Sequence, residues 1–184
     1  MRRSTHRWIS NIPVDREHSL PYNYKPDDLV TVGQQLKSPF MKNNPMMLRK
    51  KAHEAFKSMI LAARRKGLYI GLTSCYRSAE YQEKIYSEEI DRTFPKQRLV
   101  AKPTTSEHQL GTAADVSSAE VKWLLVREFD ETDEFEWLIE NSGRFGIYLS
   151  FGKSVSGSAS AHSYEPWHFR YKGVTITYEP TFRT

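Results

Sequence analysis

Apolar positions along the chain change their period several times, and each change predicts an element. Between 45 and 67, Met47, Leu48, Ala52, Ala55, Phe56, Met59, Ile60 and Ala63 recur every three or four residues. That spacing predicts an amphipathic helix with Pro45 near its first turn and Gly67 as its stop. Residues 68–76 are short, apolar and aromatic, as a buried strand requires. Ser78 can cap a second helix running to about Asp91, with Tyr81, Ile85 and Ile90 on its inner side. Pro95, Pro103 and several charges make 93–105 a loop, after which a short strand ends at Asp115 and Val116. One or two helices are expected over 120–142, carrying Val121, Leu124 and Leu125, then Phe135, Leu138 and Ile139, with Gly143 as the stop. Residues 145–151 predict another strand, and 152–162, small and polar, a loop at a rim. A hairpin is expected from 168–171 and 174–178 around Lys172 and Gly173. Helices come first and strands mostly late, which predicts an α+β fold with a small antiparallel sheet and helices packed on one side.

The first 40 residues break these rules. Pro13, Pro21, Pro26 and Pro39 forbid a long helix, while Trp8, Tyr22, Tyr24 and Phe40 can still pack. Residues 1–40 are therefore expected to form an arm packed on the domain, and 41–184 a single catalytic domain.

At 184 residues, with 39% hydrophobic and 27% charged residues and a mean hydropathy of -0.64, the composition is that of a globular domain with a real core. No apolar run reaches the roughly 20 residues of a spanning helix. The basic start has no apolar stretch behind it, so neither a signal peptide nor a membrane span is expected. The net charge of +5 is spread over short clusters such as Arg49-Lys50-Lys51 and Arg64-Arg65-Lys66, read as solvated helix faces. No nucleic-acid partner is expected; a basic surface would also suit an anionic polymer such as a cell wall. The lone Cys75, in an apolar run, is expected to be a buried thiol.

Two fragments carry candidate chemistry. Residues 106–115, Ser-Glu-His-Gln-Leu-Gly-Thr-Ala-Ala-Asp, offer the His108 imidazole and the Asp115 carboxylate with small residues between them. Residues 165–168, Glu-Pro-Trp-His, add His168 and a further carboxylate. Catalytic zinc usually takes three protein ligands and leaves a fourth position open, a count that His108, Asp115 and His168 would meet. Glu165, three residues before His168, could take the proton of a water acidified by the metal. Glu107 is expected to be solvated, Trp167 to pack under the site, Tyr164 to reach substrate, and Tyr148 and Phe151 to be core. His6, His18 and His53 have no partner at a metal-binding spacing, and His162 falls in the polar loop.

Ser106-x-His108-x-x-Gly111-x-Ala113-x-Asp115 together with Glu165-x-Trp167-His168 resembles the signature of the VanY-type D-Ala-D-Ala carboxypeptidases. These belong to the superfamily of lysostaphin, D-Ala-D-Ala peptidases and sonic hedgehog. Ser74-x-Tyr76-Arg77-Ser78, Gln82, and the Leu-Pro-x-x-Tyr-x-Pro-x-Asp-Leu run over 20–29 extend the resemblance in the same order. The resemblance implies a hedgehog-like peptidase fold with its zinc cleft on the sheet. It also implies Zn²⁺ on His108, Asp115 and His168, with Glu165 as catalytic base. Arg77 would stabilise the oxyanion, and Gln82 and Ser106 would contact the substrate.

The expected activity is that of a zinc-dependent peptidoglycan carboxypeptidase removing the terminal D-alanine of a stem peptide or muropeptide, of D,D or L,D type. A peptidoglycan endopeptidase of the endolysin kind, or a zinc-stabilised binding module without turnover, are the alternatives. A monomer is expected. The compartment stays open: periplasmic or extracellular if the N-terminus is trimmed, otherwise cytoplasmic or released by lysis.

Overall fold

A computed structural model describes residues 12–93, 100–153 and 163–173. Two antiparallel sheets, three α-helices and short 3-10 turns account for its regular elements. Strands β1 (Leu29–Thr31) and β2 (Met47–Arg49) pair as a small ribbon, with Val30 opposite Leu48. Helix α1 (Lys50–Arg64) follows β2 directly, and β3 (Ile70–Ser74) follows α1. Next come α2 (Ala79–Thr93), β4 (Ala113–Ser118), α3 (Asp133–Asn141), β5 (Ile147–Leu149) and β6 (His168–Tyr171). The main sheet has the order β3-β4-β6-β5 and every pair is antiparallel.

The buried face of α1, Ala52, Phe56, Met59, Ile60 and Ala63, packs with Ile70, Leu72, Ala114, Val116, Ile147 and Phe169 of the sheet in one core cluster. Each large apolar side chain so buried contributes roughly 1.5–3 kcal/mol. Gly67, at φ +82, ends the helix as expected.

Side chains alternate across a strand, and that alternation places the chemistry. Ala114 faces Phe169 across the β4–β6 pair and both enter the core, so the neighbouring pair, Asp115 opposite His168, lies on the other face. Arg170, two residues beyond His168, shares that face and stands opposite the small Ala113. The α+β expectation with a small antiparallel sheet is borne out.

Several expectations fail locally. The first helix begins at Lys50 rather than near Pro45, because Met47 to Arg49 are drawn into β2 by β1. Arg49 is buried against Asp28, its Nε donating to Oδ1 at 2.7 Å, and so is no solvated cation. No helix forms around Val121: Lys122 and Trp123 adopt positive φ, 54° and 62°, which no α-helix accommodates. Leu124 and Leu125 are consequently exposed, as are Tyr81 and Ile139 on the outer sides of α2 and α3. The strand carrying Asp115 continues to Ser118 instead of ending at Val116. The second strand expected at 174–178 and most of the 152–162 loop lie outside the described residues. Among the described residues, no helix is long and apolar enough to cross a membrane.

Candidate active site

Three chain segments bring the polar groups together on the outer face of β4 and β6. Ser106 caps a single 3-10 turn, Glu107–Leu110, its Oγ accepting the His108 N–H at 3.4 Å. The turn closes at Gly111 with φ +70. A Cβ there would lie 3.0 Å from both Arg49 Cγ and Leu29 Cδ2, so backbone conformation and close packing both require glycine. His108 Nδ1 lies 2.7 Å from the Cys75 carbonyl, which fixes the ring with Nε2 turned inward. Asp115 comes from β4. His168 begins β6 after the tight turn Glu165-Pro-Trp-His, in which its N–H donates to the Glu165 carbonyl at 3.1 Å. Proline at the second position suits that turn, and the turn explains the three-residue spacing seen in the sequence.

His108 Nε2 lies 3.3 Å from Asp115 Oδ1, and His168 Nδ1 lies 3.1 Å from the same oxygen. One ligand atom from each of the three residues falls within 4.8 Å of the others, and all three residues are buried. Zinc bonds of about 2.0–2.1 Å in a tetrahedron separate ligand atoms by about 3.3 Å, so the donor set fits such an ion. Nε2 of His108 is buried and makes no well-aligned hydrogen bond among the described residues, as a metal-facing nitrogen would.

The electrostatics follow from burial and crowding. Burial pushes the His108 imidazolium down, aided by the charge of Arg77, to about 4, so the ring is neutral and can ligate. Burial alone would raise Asp115, but the adjacent histidines hold it well below the usual carboxylate range. His168 is also opposed by burial, yet its hydrogen bonds to Asp115 and Glu107 lift it to about 9. Glu165 lies 4.0 Å from His168 Nδ1, and burial, with the charge of Asp115 adding to it, raises its carboxyl to about 7 despite the neighbouring His168. A carboxyl poised near neutrality beside a ligand cluster is what a general base requires.

These groups line a cleft of about 260 Å³. Arg77 and Gln82 line it too. Arg77 leaves the end of β3, its N–H donating to the His108 carbonyl at 3.3 Å. Gln82, on α2, is anchored by donation from Nε2 to the Ala101 carbonyl at 2.8 Å, and its Oε1 has no hydrogen-bond partner among the described residues. Ser106, buried by its capping role, lines the same cleft. All seven candidate residues therefore meet at one place.

Other expectations meet mixed outcomes. Glu107 is not solvated: it is 9% exposed, its Oε1 accepts from Arg170 Nη1 at 2.6 Å, and its Oε2 lies 3.0 Å from His168 Nε2. Burial would raise its carboxyl, but His168 and Arg170 more than offset this and hold it well below the usual range. Phe151 is a cleft wall rather than simple core, its ring 4.7 Å from that of His168. Tyr164 donates to Asp130 at 2.8 Å. Trp167 lines the cleft and packs against the core. His18 pairs with Asp15 at 2.9 Å, and His53 sits on α1; His6 and His162 lie outside the described residues. Cys75 is buried, which pushes its thiol up and leaves it inert.

The sequence reading missed Glu107, Arg170, Leu125 and Arg16. Arg170 could have been found from the two-residue period of β6, which puts it beside His168. Arg16 belongs to a segment without a periodic signal, and Leu125 to a stripe that reads as a helix the chain does not form, yet both reach the cleft.

The sequence and the fold are similar to those of known proteins. The inferred carboxypeptidase YodJ of Bacillus subtilis (strain 168) is 33% identical over 162 residues, 87% of this chain; the chain spans 59% of YodJ's length. The solved LD-carboxypeptidase LdcB, whose structure concerns peptidoglycan recognition, superposes with a TM-score of 0.74 at 33% identity, covering 87% of this chain and 75% of that one. The vancomycin-resistance D,D-pentapeptidase VanY, solved in complex with Zn(II), gives a TM-score of 0.71 at 28% identity, covering 90% and 89%. A family model described as VanY, D-alanyl-D-alanine carboxypeptidase, matches residues 45–174, well over half of the chain, and the chain accordingly belongs to that family.

Proposed function

We propose that this protein is a zinc-dependent peptidoglycan carboxypeptidase that hydrolyses the terminal D-alanine peptide bond of cell-wall stem peptides. One observation carries the reading: His108 Nε2, Asp115 Oδ1 and His168 Nδ1 converge at zinc-ligand separations beside a Glu165 carboxyl held near neutrality. The zinc-bound VanY relative and the LdcB carboxypeptidase structure support it. Zinc held by these three atoms would supply Lewis acidity, polarising the scissile carbonyl and lowering the pKa of a water to about 7.

The chain's own residues do the rest. Glu165 takes the proton of the attacking water and later returns one to the leaving amine of D-alanine, both tasks suited to a carboxyl titrating near 7. Arg77 is positioned to donate to the carbonyl oxygen as negative charge builds on it, and its half-buried place strengthens that interaction relative to water. The unpartnered Gln82 Oε1 can accept a substrate peptide N–H, and the Ser106 hydroxyl can orient the same peptide. Phe151, Leu125 and Trp167 give the cleft apolar walls that exclude water from the reacting bond.

Release of free D-alanine from pentapeptide or tetrapeptide substrates by the zinc-loaded protein tests the reading. His168→Ala is expected to lose stoichiometric zinc and the activity together. Full zinc occupancy in that variant would remove His168 from the ligand set. A zinc-stabilised module without turnover would bind the metal and release no D-alanine.

A further inference from the structure

Glu107 stands one residue before a ligand, in a position that the family signature leaves open. Its carboxylate is wedged between two donors. Oε1 accepts from Arg170 Nη1 at 2.6 Å, and Oε2 lies 3.0 Å from His168 Nε2. Arg170 is itself tethered, its Nη2 donating to the Ile12 carbonyl of the N-terminal segment at 2.7 Å. All three side chains are at most 9% exposed. The run Ile12, Arg170, Glu107, His168 thus leads from the arm to the metal-facing ring across 158 residues of sequence.

We infer that Glu107, clamped by Arg170, is the positioning residue for His168: by occupying Nε2 it leaves Nδ1 as the ring nitrogen that faces Asp115 and the ligand centre. The inference rests on the zinc reading above. A ligating imidazole would keep one proton, and the acceptor held at Nε2 decides that Nδ1 is the nitrogen that gives up its proton and offers a lone pair. A carboxylate suits this place because it has two acceptor oxygens and no donor. A glutamine of the same shape has one acceptor and one amide NH₂, so either Arg170 or His168 would meet a donor face to face. The Arg170 guanidinium adds what a buried anion needs, an ionic partner at hydrogen-bonding distance that offsets its desolvation. The two-residue spacing of His168 and Arg170 on β6 presents both to Glu107 at once.

The test is the zinc affinity of wild-type protein and Glu107→Gln, measured by competition with a chromophoric chelator. The cobalt(II) absorption spectrum serves as a second readout. Glu107→Gln is expected to bind zinc about 10- to 100-fold more weakly, with a shifted cobalt spectrum. A merely structural role would lower the thermal stability of the variant and leave its spectrum unchanged. Should the variant fail to fold, nitrogen-15 NMR of the zinc-loaded wild type decides instead, with His168 expected protonated at Nε2 and metal-shifted at Nδ1. Zinc affinity within twofold of wild type in folded Glu107→Gln, or a proton on His168 Nδ1 with metal at Nε2, overturns the inference while leaving the zinc reading intact. Failure of the wild type to bind zinc overturns both.

Discussion

Replacing Glu165 by glutamine separates catalytic need from folding need. Burial raises this carboxyl from 4.5 to about 7, with the Asp115 charge adding to it. A carboxyl moved that far corresponds to about 3 kcal/mol of preference for its protonated form in the fold. The sign follows from linkage: the folded state holds the proton more tightly than the unfolded one. Folding is therefore unaffected by this group below pH 4.5, loses stability as pH rises from 4.5 to about 7, and bears the full cost above it. Zinc would relieve that cost by its charge, so the comparison belongs in chelator-treated protein. At pH 8 metal-free Glu165→Gln is expected to be more stable than wild type by up to about 3 kcal/mol. At about 2–4 °C per kcal/mol for a chain of this size, its melting temperature should rise by up to about 6–12 °C. The gain should vanish near pH 4, while hydrolysis by the zinc-loaded variant falls by about 10²–10⁴. Thermal melts across pH, read beside D-alanine release, check both halves. A variant that melts lower than wild type at pH 8, or that hydrolyses at the native rate, refutes the placement of Glu165 as a buried base.

Three other substitutions probe the surroundings. Arg77→Met should lower kcat by about 10²–10³ with a small change in KM, since an oxyanion donor acts in the transition state; steady-state kinetics separate the two constants. Gly111→Ala meets a φ of +70 and two carbon atoms at 3.0 Å. It should cost about 1–3 kcal/mol in chemical denaturation and weaken zinc binding through the His108 turn. Arg16 is exposed at the cleft, so Arg16→Ala should raise KM for an anionic stem peptide at low salt and leave kcat unchanged, the difference closing as salt is added.

Much of the site was legible because its spacings have local causes. The three-residue step from Glu165 to His168 is one proline turn, and the small residues of 111–114 are a left-handed glycine and the start of a strand. Helix α1 was legible because five of its apolar positions enter one core. What escaped the sequence depends on distant partners. Strands β1 and β2 are three residues each, too short to show a period, and each exists through the other. Glu107 reads as solvated because a buried glutamate is rare without a partner, and its partner Arg170 lies 63 residues away. Val121, Leu124 and Leu125 mimic a helical stripe, but two consecutive left-handed residues turn the chain and expose both leucines.

The proposed function amounts to an exopeptidase reaction at a metal held by His108, Asp115 and His168. Mass spectrometry of the products from defined tetrapeptide and pentapeptide muropeptides, with zinc and with a chelator, tests it most directly. One alanine residue is expected to be lost from the C-terminus of at least one of these substrates, only when metal is present and only with Glu165 intact. Cleavage within the stem peptide, or products unchanged by the chelator, would contradict it.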